Sequence, residues 1–180
     1  MAQNKKIKPS TVILIVTGII TAAICAVMNF YLIPLIEASA NGMKCFDMSI
    51  FGYSYTEAKQ FVASLSDEAK GIYLNRQLPL DFVYPIAYSV FFSLCIVKMS
   101  KKKWLVALPV LLAVFDYTEN ICSIIMLRNA DFSEGIAFLA RCATTAKTML
   151  MYVVFAIIIV MFIIFIKNRK SAKKNAETEG

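Results

Sequence analysis

The sequence contains no histidine. That absence excludes haem bound by two imidazoles, histidine-ligated zinc, and the Ser-His-Asp and Cys-His forms of nucleophilic catalysis. The five cysteines are scattered singly without a Cys-x-x-Cys pair, which argues against a thiol oxidoreductase or a zinc ribbon. We therefore expect neither a metal nor another cofactor, and any chemistry would use carboxyl, amine, guanidinium, hydroxyl, amide or thiol groups.

The sequence is also poor in charge. Only 17% of its 180 residues are charged, whereas 59% are hydrophobic, and the mean hydropathy is +0.66. A soluble chain of this length is rarely so apolar. The net charge is +7, but the lysines and arginines are concentrated beside apolar runs, where anionic lipid headgroups account for them. We expect membrane lipid, and not nucleic acid, as the partner of the basic residues.

Four long apolar runs occupy most of the chain. They predict membrane spans at about residues 11–36, 79–97, 104–127 and 134–166, because a span needs about 20 mostly apolar residues. The predicted fold class is all-α, an integral membrane four-helix bundle over residues 11–167. A basic N-terminus at residues 1–10 precedes it, and a lysine-rich tail at residues 168–180, which we expect to be disordered, follows it.

One polar segment of some length, residues 41–78, separates the first two spans. Ser54-x-x-Glu57 has the spacing of a capping box, and Ala58, Phe61 and Val62 follow at helical spacing. This pattern predicts a short amphipathic helix from Tyr55 to Leu65 on the outer membrane face. We interpret that helix as a lid over a site within the bundle.

The basic clusters at residues 5–8, 98–103 and 167–174 all fall on one side of a four-span chain. The positive-inside rule therefore predicts a multi-pass protein of the plasma (inner) membrane with both termini in the cytoplasm. Cys45 and Cys142 would then both lie near the outer, oxidising side, so the sequence leaves a disulfide between them open.

Ionisable residues inside the spans are the most informative feature. At 1.5 Å per residue, Asp116 and Glu119 lie roughly 18 and 23 Å above Trp104, in the outer half of a core about 30 Å thick. A charge at the bilayer centre costs about 2.5 to 3.5 kcal/mol on insertion scales and normally faces the protein interior. We therefore predict a polar pocket, open toward the outside, whose residues are Asp81, Tyr84, Tyr88, Asp116, Glu119, Asn120, Arg141 and Lys147.

Three short motifs carry a resemblance: Gly71-x-Tyr73, Leu80-Asp81-Phe82-Val83-Tyr84-Pro85 and Phe115-Asp116-Tyr117-Thr118-Glu119-Asn120. They resemble motifs of small four-span bacterial membrane proteins, over about residues 53–127. The resemblance implies four helices and emphasises Asp81, Pro85, Asp116, Glu119 and Asn120, but it implies no particular reaction.

The leading functional hypothesis is a non-enzymatic protein that binds, and in one version moves, a small amphipathic or cationic ligand, a lipid headgroup or a proton. Asp116 and Glu119 would be the acceptors, and Arg141 and Lys147 would set their protonation. One alternative is an intramembrane hydrolase that activates water with Asp81 and Asp116. Another is an accessory subunit whose interior polar groups only hold the helices together. The ligand and the oligomeric state stay open.

Overall fold

The structure, a computed structural model, describes residues 9–100 and 102–178, with side chains through Ser171. Within those residues the chain forms helices and no strand, so the all-α prediction is confirmed. The α-helices are α1 (Pro9–Val27), α2 (Ile33–Ser39), α3 (Tyr55–Ser64), α4 (Asp67–Ile72), α5 (Leu78–Met99), α6 (Ala107–Arg128) and α7 (Glu134–Thr178). Short π-helical turns at Met28–Leu32 and Tyr73–Gln77 join α1 to α2 and α4 to α5, and 3-10 turns lie at Phe46–Met48 and Lys103–Val106.

Four helical stretches are long and apolar enough to cross a membrane, as predicted: Pro9–Ser39, Asp67–Met99, Lys103–Arg128 and Glu134–Ser171. The second begins at Asp67, well before the predicted start near residue 79. Its start is fixed by Ser66, whose hydroxyl accepts a hydrogen bond from the Ala69 N–H at 3.2 Å. The π-helical turn then carries the helix into α5 without a break, so residues 40–66 form the separate segment between the first two spans, which we call the cap.

The fourth span continues as α7 to Thr178, through most of the tail for which the sequence predicts disorder. Lysine, arginine, alanine and glutamate are good helix formers, and a helix that already exists is extended at little cost. The C-terminal end of α7 therefore differs from the expectation of a chain without regular structure after residue 167.

Helix α5 lies at the centre of the bundle. It packs against α1 on one side and α6 on the other, and α6 packs along α7 over most of its length. Helix α1 has its neighbour in α5 and makes no comparable contact with α7. A gap floored by α5 therefore separates residues 14–33 of the first span from residues 147–165 of the fourth, and we call it the α1–α7 cleft.

The cap closes the end of the bundle that is opposite the lysine-rich connection. An aromatic cluster fills it, in which the Phe46 ring lies 4.9 Å from the rings of both Tyr53 and Phe61. Helix α3 starts with the predicted capping box: the Ser54 N–H donates to Glu57 Oε2 at 2.6 Å, and the Glu57 N–H donates to Ser54 Oγ at 3.2 Å. The apolar face of α3 is buried in this cluster, as expected of an amphipathic helix.

Candidate functional site

Charged residues meet where α6 packs on α7. Asp116 and Glu119 lie one turn apart on α6 and both contact the ammonium of Lys147 on α7. Lys147 Nζ is 3.0 Å from Asp116 Oδ1 and forms an ion pair with Glu119 Oε2. All three side chains are buried or nearly so. We call this group the seam triad; one cation serves two carboxylates in it.

Two hydroxyl groups complete the seam triad. The Tyr88 OH on α5 donates to Asp116 Oδ2 at 2.9 Å. The Thr144 hydroxyl on α7 donates to Glu119 Oε1 at 2.6 Å. Each of the four carboxylate oxygens of Asp116 and Glu119 therefore has a donor or a cation beside it, and a buried polar network that is satisfied in this way is rigid.

Asp81 on α5 is in a different situation. The residue is 3% exposed, and within the part of the chain that the structure describes no hydrogen bond or ion pair reaches its carboxylate. Its backbone carbonyl, by contrast, accepts a hydrogen bond from Asn120 Nδ2 at 2.8 Å. Pro85 has no N–H to donate to that carbonyl within the helix, so Asn120 supplies the missing donor.

The Asp81 carboxyl group lies at a cavity of about 220 Å³ between the first and fourth spans. Asp47 from the cap, Asp81 and Asp116 contribute carboxyl groups to its wall, and Lys147 contributes an ammonium. Tyr84 also lines it and packs edge-on against Tyr88, with ring centroids 5.0 Å apart. The remaining wall is mostly apolar or weakly polar: Met28, Asn29, Ile33, Met48, Thr148, Met151 and Tyr152.

The mouth of the cavity opens sideways into the α1–α7 cleft. Met48 of the cap and Tyr152 of α7 are the most exposed residues of its wall, at 38% and 57%. The sequence predicted a pocket that opens outward beneath a lid formed by α3. In the structure α3 does not line the cavity, because its apolar face packs into the aromatic cluster of the cap.

Arg141, predicted to belong to the pocket, lies outside it. Its side chain is exposed and passes over Gly52, where a Cβ atom would stand 2.5 Å from Arg141 Cγ. The reason is helical phase: Arg141 precedes Lys147 by six residues, which turns it about 120° away around α7. Of the predicted residues, the structure therefore brings together Asp81, Tyr84, Tyr88, Asp116, Glu119, Asn120 and Lys147, and leaves out Arg141.

Comparison with protein-family models, with curated proteins and with solved structures found no match. In the described residues, no group of three or more cysteine, aspartate or glutamate side chains is arranged to hold a metal ion. The function of the protein is therefore inferred from the geometry of the cavity.

Among the residues of the site that the sequence prediction missed, Thr144 and Asp47 are two that form hydrogen bonds. Thr144 precedes Lys147 by three residues, so helical spacing alone could have placed it on the same face of α7. Asp47 lies in the cap, where its Oδ1 accepts a hydrogen bond from the Tyr73 OH at 2.8 Å. No periodic pattern marks Asp47, because a 3-10 turn between irregular segments leaves no signal in the sequence.

The five cysteines are all free thiols. Cys45 is buried within the cap whereas Cys142 is exposed on α7, and both are free thiols, so the disulfide that the sequence left open is not formed. Burial, followed by the nearby carboxylates of Asp47 and Glu37, raises the pKa of the Cys45 thiol far above its ordinary value. A raised pKa disfavours the thiolate, which is the reactive form, as is typical of a cysteine packed in a protein interior.

Proposed function

We propose that this protein is a multi-pass protein of the plasma membrane that binds a small organic cation, or a proton, at Asp81. The observation that carries the proposal is the contrast between a carboxyl group that is 3% exposed and the absence of any partner for it in the described residues. An ionised carboxylate in such a place is costly unless a proton or a cation neutralises it. The cavity beside Asp81 supplies the space for that neutralising group.

The seam triad supports Asp81 without competing for the ligand. Lys147 already compensates Asp116 and Glu119, so the acceptor role that the sequence assigned to those two residues passes to Asp81. The fixed ammonium of Lys147 also disfavours a second cation on the seam. A volume of about 220 Å³ is smaller than the roughly 300–1,000 Å³ of sites for drug-sized ligands, which favours a compact amine.

Aromatic residues in the wall suit the same ligand. Tyr84 and Tyr152 both line the cavity, and the faces of tyrosine rings attract ammonium groups by about 0.5 to 2 kcal/mol. Met28 and Met151 add flexible apolar surface that can adapt to short alkyl substituents.

An intramembrane hydrolase is the second candidate, because Asp81 and Asp116 share one cavity. Paired carboxylates activate water only if one of them offers a free oxygen to it. Both oxygens of Asp116 are held, one by Lys147 and the other by Tyr88, which favours ligand binding over hydrolysis. A purely structural role predicts a closed and fully paired interior, and the unpaired Asp81 argues against it.

We further propose that both termini are cytoplasmic and that the cap faces outward. Lys98, Lys102 and Lys103 lie where the second span ends and the third begins, and Lys167, Arg169 and Lys170 lie at the C-terminal end of the fourth, so both groups are on the same side. Green fluorescent protein fused to the C-terminus should fluoresce in the cell, because it matures in the cytoplasm and not after export. A dark fusion that is present at normal abundance would contradict this orientation.

The binding proposal can be tested with hexylammonium as a cationic probe and hexanol as its neutral counterpart. In a non-ionic detergent, hexylammonium at about ten times its dissociation constant should raise the unfolding temperature by a few degrees, and hexanol should not. Asp81→Asn should abolish the shift, whereas Glu68→Gln, an exposed residue outside the cavity, should preserve it. A shift of equal size in Asp81→Asn, or no shift in the wild-type protein, would refute cation binding at this residue.

The proton version of the proposal has a separate readout. Proton uptake by Asp81 would add a pH-dependent component to the stability of the wild-type protein that Asp81→Asn lacks. Identical pH profiles for the two proteins would exclude it.

A further inference from the structure

The α1–α7 cleft does not end at the cavity. Nearer the cytoplasmic side it contains a groove of about 350 Å³ whose wall is entirely apolar. The groove is lined by Leu14 of α1, by Cys95, Lys98 and Met99 of α5, and by Ile158, Ile159, Phe162 and Phe165 of α7. Lys98 contributes only its alkyl stem, since its ammonium donates a hydrogen bond to Thr11 Oγ1 at 2.7 Å.

A single stripe of α7 joins the cavity to the groove. Lys147, Met151, Ile158, Phe162 and Phe165 recur at spacings of three, four or seven residues, so they share one face of the helix. The distance along α7 from Met151 in the cavity to Ile158 in the groove is about 10 Å, at 1.5 Å per residue. The same helix face is therefore charged beside Asp81 and wholly apolar below it.

Met151 and Ile158 touch the core around Tyr88 and Phe92 at one edge of this stripe, but within the described residues no helix packs over its side toward α1. Helix α1 is drawn against α5 at Gly18, where a Cβ atom would stand 2.9 Å from the Phe91 ring, and it stays away from α7. An apolar stripe at coiled-coil spacing normally packs against a neighbouring helix. Here it faces an open cleft, and its charged end is the cavity with the unpartnered carboxyl group of Asp81.

The residues around the mouth are large, apolar and exposed, which is typical of residues that contact lipid. The tip of the cap beside Met48 exposes Ile50 and Phe51, the latter at 83%, and the π-helical turn of the first span exposes Phe30 at 85%. Large apolar side chains that are this exposed beside a span are stable in the bilayer and costly in water. Because the cap lies on the outer side in the proposed orientation, the mouth opens toward the outer half of the membrane.

We infer that the α1–α7 cleft takes up a long-chain amphiphile with an amine headgroup from the outer leaflet. The headgroup binds at Asp81, which deepens the proposed function and rests on it, and the hydrocarbon chain follows the α7 stripe into the apolar groove. Charge complementarity selects the occupant, because the three carboxyl groups of the cavity wall, from Asp47, Asp81 and Asp116, outnumber its one ammonium, that of Lys147, and favour an ammonium headgroup over a phosphate or carboxylate. The groove begins roughly 16 Å along α7 from Lys147, a distance that requires a long alkyl chain.

The test uses hexadecylamine that carries a photoreactive diazirine in the last third of its chain, with the matching hexadecanol derivative as the neutral control. The intact protein is reconstituted in phosphatidylcholine nanodiscs, irradiated, and mapped by peptide mass spectrometry. The amine should label the groove around Leu14, Ile158 and Phe162 several-fold more than the alcohol does. Asp81→Asn should reduce labelling by the amine to the level of the alcohol.

Two variants at nearly the same depth of α7 distinguish labelling within the cleft from labelling through general contact with lipid. Ile159 lines the groove and Val160 does not, although the two are similarly exposed, at 57% and 54%. Ile159→Trp should fill the groove and lower labelling at least several-fold, whereas Val160→Trp should leave it unchanged. Both substitutions are at exposed positions, so both proteins should fold.

The outcomes separate this inference from the proposed function. Equal labelling by amine and alcohol, or labelling spread over exposed α6 residues such as Val110 and Val114, overturns the inference. If the short amine hexylammonium still stabilises the wild-type protein through Asp81, the proposed function survives that result. Failure of both probes removes both proposals.

Discussion

The two sides of helix α7, toward α6 and toward α1, differ in how their buried charges are paired. Toward α6 it makes a closed seam, in which the carboxylates of Asp116 and Glu119 are matched by Lys147, Tyr88 and Thr144. Toward α1 it borders an open cleft, at whose charged end the Asp81 carboxyl group has no partner in the described residues. Both boundaries contain buried acidic groups at nearby levels of the bundle, so burial alone does not distinguish structural charges from a binding site.

Pairing is what distinguishes the two. A buried carboxylate whose oxygens are all engaged has little more to gain from a ligand, and removing one of its partners is expensive. A buried carboxylate without partners gains stability from any proton or cation that reaches it. Mutations in the seam should therefore change mainly the free energy of unfolding, and mutations in the cleft should change mainly ligand binding.

The largest predicted effect comes from Lys147→Met. This change leaves Asp116 and Glu119 buried without a cation and should lower the free energy of unfolding by about 3 to 5 kcal/mol. Unfolding by sodium dodecyl sulfate in mixed micelles measures it. Adding Asp116→Asn and Glu119→Gln to Lys147→Met should restore most of the loss, because no uncompensated charge remains.

Lys44→Met provides the matched control for that prediction. Lys44 pairs with Glu37 at 3.2 Å, but its side chain is 64% exposed, so this pair should contribute less than about 1 kcal/mol. Equal losses for Lys147→Met and Lys44→Met would mean that the seam triad is no more important than a surface ion pair.

A smaller effect is expected when one hydroxyl is removed from the seam. Thr144→Val deletes the donor to Glu119 Oε1 at nearly constant volume and should cost about 1 to 3 kcal/mol, because a buried carboxylate oxygen loses its partner. Thr148→Val, one turn along α7 in the wall of the cavity, should change stability by less than about 0.5 kcal/mol. Comparable losses at the two threonines would erase the distinction between seam and cleft.

Much of the seam was accessible from the sequence. Asp116, Glu119 and Asn120 recur at helical spacing on an apolar helix, and the cost of charge in a membrane turns them inward toward a cation. Arg141 and the direction of the mouth were not accessible in this way. Excluding Arg141 from the site requires its angle around α7 relative to Lys147 to be taken into account. The direction of the mouth depends on the packing of α1 at Gly18 against Phe91, a long-range contact that no local pattern encodes.

Asp81→Asn should not lower the free energy of unfolding, in contrast to the seam mutations. Removing an unpartnered buried carboxylate should leave stability unchanged in the absence of ligand or raise it by about 1 kcal/mol, while Asp116→Asn should lower it. Mixed-micelle unfolding without any amine compares the two variants. A loss at Asp81 as large as the loss at Asp116 would show that Asp81 is held by partners and belongs with the seam.

The smallest effect concerns the cap, which closes one end of the bundle. The Ser54 N–H, and after it the Ser54 hydroxyl, lower the pKa of Glu57 below its ordinary value of 4.5. Because the pKa is depressed in the folded state, this stabilisation is present above about pH 4.5 and is lost as the pH falls through the folded value. Glu57→Gln should therefore flatten the acid limb of the unfolding-temperature profile between about pH 7 and pH 3, whereas Ser54→Ala, which keeps the N–H donor, should retain most of it. Parallel acid limbs for the wild-type protein and Glu57→Gln would mean that the capping box adds nothing to closure of the cap.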